Sequence, residues 1–413
     1  MLLNYTTNST GSGKESRLCT ITTQRKVSYY LSFFLAYARI EKTNMTELEL
    51  SSLHALRSLP HVGDKTLRLL VEHFGNGTTA WEHTGSFDVP GISKAALDDL
   101  LTKRPSMNRE ALWAALKKEA ITILHADDPL YPTLLHQIPD HPLLLYVRGD
   151  FDWATLNHKP TLAIVGSRKF TQYGEQVALR LSYDLAQAGF VVISGLAFGI
   201  DKKAHEGTLE AHGETLAVLG GGITDSDISP RSNLTLAQKI LHTGALISEY
   251  PPHTEIYAGN FPMRNRIIAG LSQGVLVIEA AEKSGSLITA LLALDYNREV
   301  FAIPGSIFSP VSTGTHALIK RGAKLVTHVS DIIEELAPHL KEASLTPEKS
   351  ETPLNLNTEE TAVLGALSHE PIDMHSLMQK TALSVSELQA TLTLLELKGL
   401  AKNIGSMQYM KIH

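Results

Sequence analysis

The chain has 413 residues, 43% of them hydrophobic and 19% charged, with a net charge of −6. That length asks for two or three domains, and the balance excludes both a disordered chain and a basic protein that coats nucleic acid through bulk charge. The single cysteine, Cys19, excludes a disulfide framework and a thiolate metal site and fits a reducing cytosol, so a cytoplasmic protein is expected.

No run reaches the roughly 18 apolar residues of a spanning helix, and no membrane association is expected. The nearest, Tyr29–Ala38, follows Arg25 and Lys26 and ends in an A-x-A pattern, the outline of an export signal. A long polar stretch precedes those charges, which is not the short n-region of such a signal. Residues 1–44 are therefore read as a disordered extension, with a start at Met45 as one origin for it, because helical periodicity begins only there.

Residues 45–118 carry helical periodicity punctuated by two similar turns, Leu59–Leu70 and Val89–Leu100, with Pro60 and Pro90 thirty residues apart. This is the pattern of tandem helix-hairpin-helix units, whose glycine turns can aim backbone N–H groups at a phosphate. Neither turn has a basic cluster, so a helical bundle with plain hairpins stays open beside it.

Residues 119–340 hold the central domain. Short apolar runs at Thr161–Val165, Phe190–Ser194, Thr215–Leu219, Ala245–Ser248, Gly274–Glu279, Glu299–Ile303 and Lys324–Val326 alternate with helical segments. Near-continuous apolarity means strands covered on both faces, and the alternation means right-handed βαβ units. The expected fold is therefore α/β, a doubly wound, mostly parallel Rossmann-like domain. A polar, proline-containing linker follows at 341–356. Residues 357–413 give three short helices and a β-like pair near Gly405, a winged-helix-like domain. There four lysines stand against six acids, and the last helix, Ser384–Lys398, offers only Lys398. A duplex-reading helix is usually basic, so a protein-contact or dimer-supporting role is expected.

Ligands of such sheets lie outside the carboxyl ends of the strands. The first central strand ends in Gly166, Ser167, Arg168 and Lys169; the second in Ser194, Gly195 and, further on, Gly199; the third in Gly220 and Gly221; the fifth runs into Lys283, Ser284, Gly285 and Ser286. Small residues at four strand ends suit the approach of a phosphodiester backbone, and Arg168 and Lys169 add charge. Phe261, Arg264, Asn265 and Arg266 then suit a single strand, with arginines for phosphates, phenylalanine for stacking and asparagine for a base edge. The competing assignment is an arginine paired with a carboxylate and Phe261 in the core.

The first turn lacks G-x-G-x-x-G, and G-x-x-x-x-G-K-[ST] is absent, so neither a nicotinamide cofactor nor Walker-type ATP hydrolysis is supported. No cofactor and no metal are expected. Asp201 and His205, four apart, could serve as an acid–base pair, though a helix cap and a satisfied near-core histidine are the commoner arrangement.

The motifs GSRKFTQYG, SGLAFGIDKKAHEG, FPMRNRIIAGLS, KSGSLITA and IPGS, in that order, together with Ile123–Leu135 and Leu143–Asp150 upstream, closely resemble the DNA-processing protein A (DprA, or Smf) family over about residues 120–335. The resemblance implies a bacterial, cytosolic, homodimeric protein that binds incoming single-stranded DNA in natural transformation, protects it and loads the RecA recombinase. It implies DNA contacts at Arg168 and Phe261–Arg266, with the SGLAFGID and KSGS loops lining the groove. The enzymatic alternative is a LOG-like phosphoribohydrolase, recognised by P-G-G-x-G-T-x-x-E. The comparable stretch here is Gly285–Thr289, with Thr289 where the catalytic carboxylate would stand.

Overall fold

The computed structural model describes residues 45–338, 340, 356–368, 371–405 and 407–411. The extension read at 1–44, and the linker apart from Leu356, lie outside them. The chain divides into two compact units, Met1–Leu345 and Thr346–His413. Among the described residues no helix is long and apolar enough to cross a membrane.

The first unit opens with helices α1 (Glu47–Arg57), α2 (Asp64–Phe74), α3 (Gly77–Glu82), α4 (Lys94–Asp98) and α5 (Arg109–Lys118). Side-chain caps start several of them: Thr46, Asn76, Ser93 and Asn108 each accept from a backbone N–H of the first turn. The first of the two similar turns is committed to internal contacts. His61 donates its backbone N–H to Asp99, while the Asp64 carboxylate accepts from Leu143 N and Arg68 Nε. This matches the bundle alternative. The helices share one hydrophobic core with the sheet that follows, from Leu53 and Leu67 through Tyr146 to Val218.

That sheet has nine strands, β1 (Ile121–His125), β2 (Leu144–Arg148), β3 (Thr161–Val165), β4 (Val191–Ser194), β5 (Thr215–Val218), β6 (Ala245–Ser248), β7 (Gly274–Val277), β8 (Glu299–Ala302) and β9 (Lys324–Leu325), in the order β1-β2-β6-β5-β4-β3-β7-β8-β9. The last seven are parallel, as their apolar runs predicted. The first two, in the segment upstream of those runs, add an antiparallel edge through β2 and β6. Between the strands lie α6 (Gln172–Gln187), α7 (Ile200–Glu210), α8 (Leu234–Ile240), α9 (Asn260–Gly270), α10 (Gly285–Asp295) and α11 (Thr313–Lys320), and α12 (Val329–Leu336) follows the last strand. Alternate residues of one strand serve opposite faces: Leu162 and Ile164 pack with α6, α7 and α12, and Ala163 and Val165 join the core shared with α9 and α10.

The chain winds outward from β3 to β6 and returns beside β3 as β7, which puts a topological switch between β3 and β7. The crevice there is stitched shut by the protein itself. Thr171 donates its backbone N–H and its hydroxyl to the buried Glu279, at 2.9 and 2.5 Å, and a side chain at Gly174 would collide with that carboxylate.

The second unit has α13 (Thr358–Ala366), β10 (Ile372–Asp373), α14 (Met374–Thr381), α15 (Val385–Leu397), β11 (Ala401–Gly405) and β12 (Gln408–Lys411), with an antiparallel sheet in the order β10-β12-β11. Leu377, Leu388, Leu392 and Leu395 fill its core. This is the expected winged helix.

Candidate nucleic-acid interface

The candidate residues collect where the β3, β4 and β5 ends meet the first turn of α9. Asn260 Nδ2 donates to Gly220 O at 2.9 Å, which seats α9 over the end of β5. Phe261, half-buried, touches the same glycine. The exposed Arg168 lays its guanidinium over the Phe261 ring, 5.3 Å from the centroid. Neither Arg168, Lys169 nor Lys283 uses its cationic group in an ion pair or hydrogen bond among the described residues. Ser167 Oγ accepts from Lys169 N and donates to Lys169 O, which fixes this turn.

The two arginines of α9 depart from expectation. Arg264 is 4% exposed and points inward, donating from Nη1 to Gly195 O and Val218 O, both at 2.5 Å. Burial pushes its guanidinium down from the usual value; the buried Asp201 opposes this and the nearby Arg168 adds to it. Arg266 is 5% exposed and turns the other way, to Glu249 Oε2 at 2.5 Å and Asp140 O at 2.6 Å. Neither offers a guanidinium to solvent, which corrects the expectation that both grip phosphates. The physical reason is that carbonyls and a carboxylate from other segments draw each guanidinium inward, and helical period keeps the two from sharing a face. At about 100° per residue, positions 264 and 266 lie about 200° apart and cannot share a face, whereas 261, 264 and 265 can. Asn265 remains near the rim and reaches Gly285 O at 3.4 Å, linking α9 to the β7–α10 turn.

The glycines are corrected in the same way. A side chain at Gly166 would strike Ile200, at Gly195 the Arg264 guanidinium, at Gly199 the backbone of Ser167 and Arg168, and at Gly221 Ile256. These four make room for the protein's own atoms. Gly199 also has φ +87°, a conformation that glycine adopts without strain. Of these candidates, Gly220 would hold a side chain in ordinary contact with α9, and Gly285, with nothing near it, leaves open space. Ser194 is buried and donates to Ile164 O, and Ser284 caps α10, with its hydroxyl 2.8 Å from that of Ser286.

Asp201 and His205 serve structure. Asp201 is buried and accepts from Gly195 N at 3.1 Å; burial raises its carboxyl above the usual range, against the pull of Arg264. His205 Nδ1 lies 2.7 Å from Thr215 Oγ1, and burial pushes the ring down to about 3, so it is neutral. Thr289 is buried in α10. No group of three or more metal-ligating side chains occurs among the described residues.

Sequence reading missed Phe198 and Lys202. A shallow depression beside Arg168 and Lys169 is lined by both, and Phe198 is 52% exposed. The signal was an aromatic residue set among small ones in SGLAFGID with two lysines immediately after, where no apolar periodicity calls for burial.

Known proteins supply the context. The family described as DNA recombination-mediator protein A matches residues 122–337, and the DprA winged helix domain matches residues 347–404. The DNA processing protein DprA of Bacillus subtilis is 44% identical over 223 residues, 54% of this chain and 74% of that protein. Protein Smf of Synechocystis is 33% identical over 382 residues, 85% of this chain and 96% of that one. The X-ray structure of DprA from Streptococcus pneumoniae superposes with a TM-score of 0.59 at 33% identity, covering 71% of this chain and 99% of that one. The resemblance read from the ordered motifs is borne out.

Proposed function

Because the chain belongs to the DNA recombination-mediator protein A family, we propose that it binds single-stranded DNA along the rim of its central sheet and passes the strand to the RecA recombinase, acting as a cytoplasmic homodimer in natural transformation. The observation that carries the DNA contact is Arg168: an exposed guanidinium with no carboxylate partner among the described residues, stacked on Phe261 at the carboxyl ends of parallel strands. Its charge suits a phosphate, and the ring beside it suits a splayed base. Lys169 and Lys283 extend the positive edge, and the open space over Gly285 lets a backbone lie close.

Arg264 contributes indirectly, by holding the β4 and β5 ends to α9 and so placing Phe261 under Arg168. The protein binds rather than turns over its ligand. The LOG-like reading needs a carboxylate at the position of Thr289, where a buried hydroxyl stands that cannot take that charge. The winged helix acts through protein contact. The outer side of α15 presents Ala390, Thr393, Leu394 and Leu397, and Lys398 is drawn to Glu360 at 2.6 Å.

The test is binding to single-stranded and duplex oligonucleotides across a salt series. The proposal expects preference for the single strand and affinity that falls as counterions return to the phosphates. Equal affinity for duplex, or none for either, would overturn it, and release of free base from a nucleoside monophosphate would restore the enzymatic reading.

A further inference from the structure

Arg168 stacks on one aromatic ring, Phe261, and lines a depression with a second that has not entered the reading so far. The other is Phe198, in the β4–α7 turn. That turn is bound to the Arg168 turn by Ile200 N donating to Ser167 O at 3.2 Å, and by the close approach of Gly199 to the Arg168 backbone. Phe198 therefore cannot drift independently of Arg168. Half its surface faces solvent. Around it the depression gathers Lys169, without an anionic partner among the described residues, Lys202, which has Glu206 3.6 Å away, and Glu175. Lys203, by contrast, is committed to Glu175 and Glu206 at 2.8 and 3.0 Å.

We propose that Phe198, Lys169 and Lys202 form a second nucleotide subsite, in which the strand leaving the Phe261–Arg168 pair stacks a further base on Phe198 and lays its phosphate between the two lysines. The inference rests on the single-strand reading above. A base stacks on an aromatic face whatever its identity, and an ammonium group neutralises a phosphate without fixed geometry, so the subsite accepts any sequence. Arg168 becomes the shared member, stacked on Phe261 and charged toward the strand on both sides.

The experiment uses the full chain, oligo(dT) and the variants Phe198→Trp, Phe198→Ala and Lys202→Ala, with fluorescence anisotropy to report binding. Phe198→Trp is expected to lose indole emission as the oligonucleotide binds, beyond any change in the wild type, whose tryptophans lie elsewhere. Phe198→Ala is expected to weaken binding by about fivefold or more, the lower end for a base–aromatic stack. Lys202→Ala is expected to lower the slope of log affinity against log salt by about 0.7, the value for one phosphate contact on a single strand. Binding with undiminished affinity in Phe198→Ala and unchanged emission in Phe198→Trp would overturn the subsite while leaving the wider function standing. Absence of single-strand binding by the wild type would remove both.

Discussion

The guanidinium of Arg264 occupies the space that a side chain at position 195 would fill, and its Nη1 closes onto the Gly195 carbonyl at 2.5 Å. Asp201 completes the arrangement by accepting the Gly195 N–H, so one glycine is held between a buried cation and a buried carboxylate. The β4 turn and the start of α9 are thereby fixed to each other, and with them Phe198 and Phe261.

Gly195→Ala should therefore destabilise the fold although it adds one methyl group. The cost expected is about 1–3 kcal/mol, as for overpacking a filled site. Urea unfolding followed by circular dichroism measures it. A midpoint equal to the wild type's would show that Arg264 can move aside freely.

Arg266→Ala separates stability from binding. Its removal leaves Glu249 buried without its cation, a change worth about 3–5 kcal/mol of stability. Where the variant is still folded, its single-strand affinity should match the wild type's, because the side chain points away from the rim. A folded Arg266→Ala protein that binds tenfold more weakly would contradict the inward placement of this arginine.

Arg168→Ala should do the reverse. The side chain is exposed and makes no ion pair among the described residues, so thermal stability should stay within about 0.5 kcal/mol of the wild type's. Binding of single strands should weaken, and the salt slope should fall by about 0.7. Unchanged affinity across a salt series would remove Arg168 from the interface.

His54 gives the protein an acid sensitivity at the junction of the helices and the sheet. It is buried beside Tyr146, with Nδ1 3.0 Å from the hydroxyl, and burial pushes its ring down to about 4. An unfolded chain takes up a proton near pH 6.5 that the folded ring refuses. Above that pH both states are neutral and the group has no effect. Stability is then lost as pH falls from about 6.5 to about 4, by an amount on the order of 3 kcal/mol when complete. Unfolding free energies at pH 7.5 and 5 should differ less in His54→Gln than in the wild type, and an equal difference would place the sensitivity elsewhere, as in the buried His205.

The strands were legible because each is a short apolar run bounded by glycine, serine or a charge, as in Thr161–Val165 before Gly166 and Ala245–Ser248 before Glu249. The β1–β2 pair was not read as strands. Ile121–His125 carries no such glycine boundary, and its place is fixed by antiparallel contact with β2 and, through it, with β6. The winged helix was legible because Asn357, Asp373 and Ser384 cap three helices in succession.

The candidate site was legible in part. Arg168 carried a signal because it sits in a turn of small residues, where side chains face outward unless something covers them, and Phe261 because it opens a helix beside such a turn. Arg264 and Arg266 misled, since two arginines flanking an asparagine look alike in a string, although their angular separation on a helix was already implied there. The role of Gly195 had no signal at all: a glycine that admits a ligand and a glycine that admits the protein's own arginine are the same letter.

The order of apolar runs, turns and motifs, which are local properties of a few neighbouring residues, determined the fold class and the family. Which cations face the solvent was decided only by the folded chain. Burial of a guanidinium depends on carbonyls and carboxylates from segments far apart in sequence, such as Gly195 and Val218 for Arg264 and Glu249 for Arg266, and those partners meet only when the sheet is assembled.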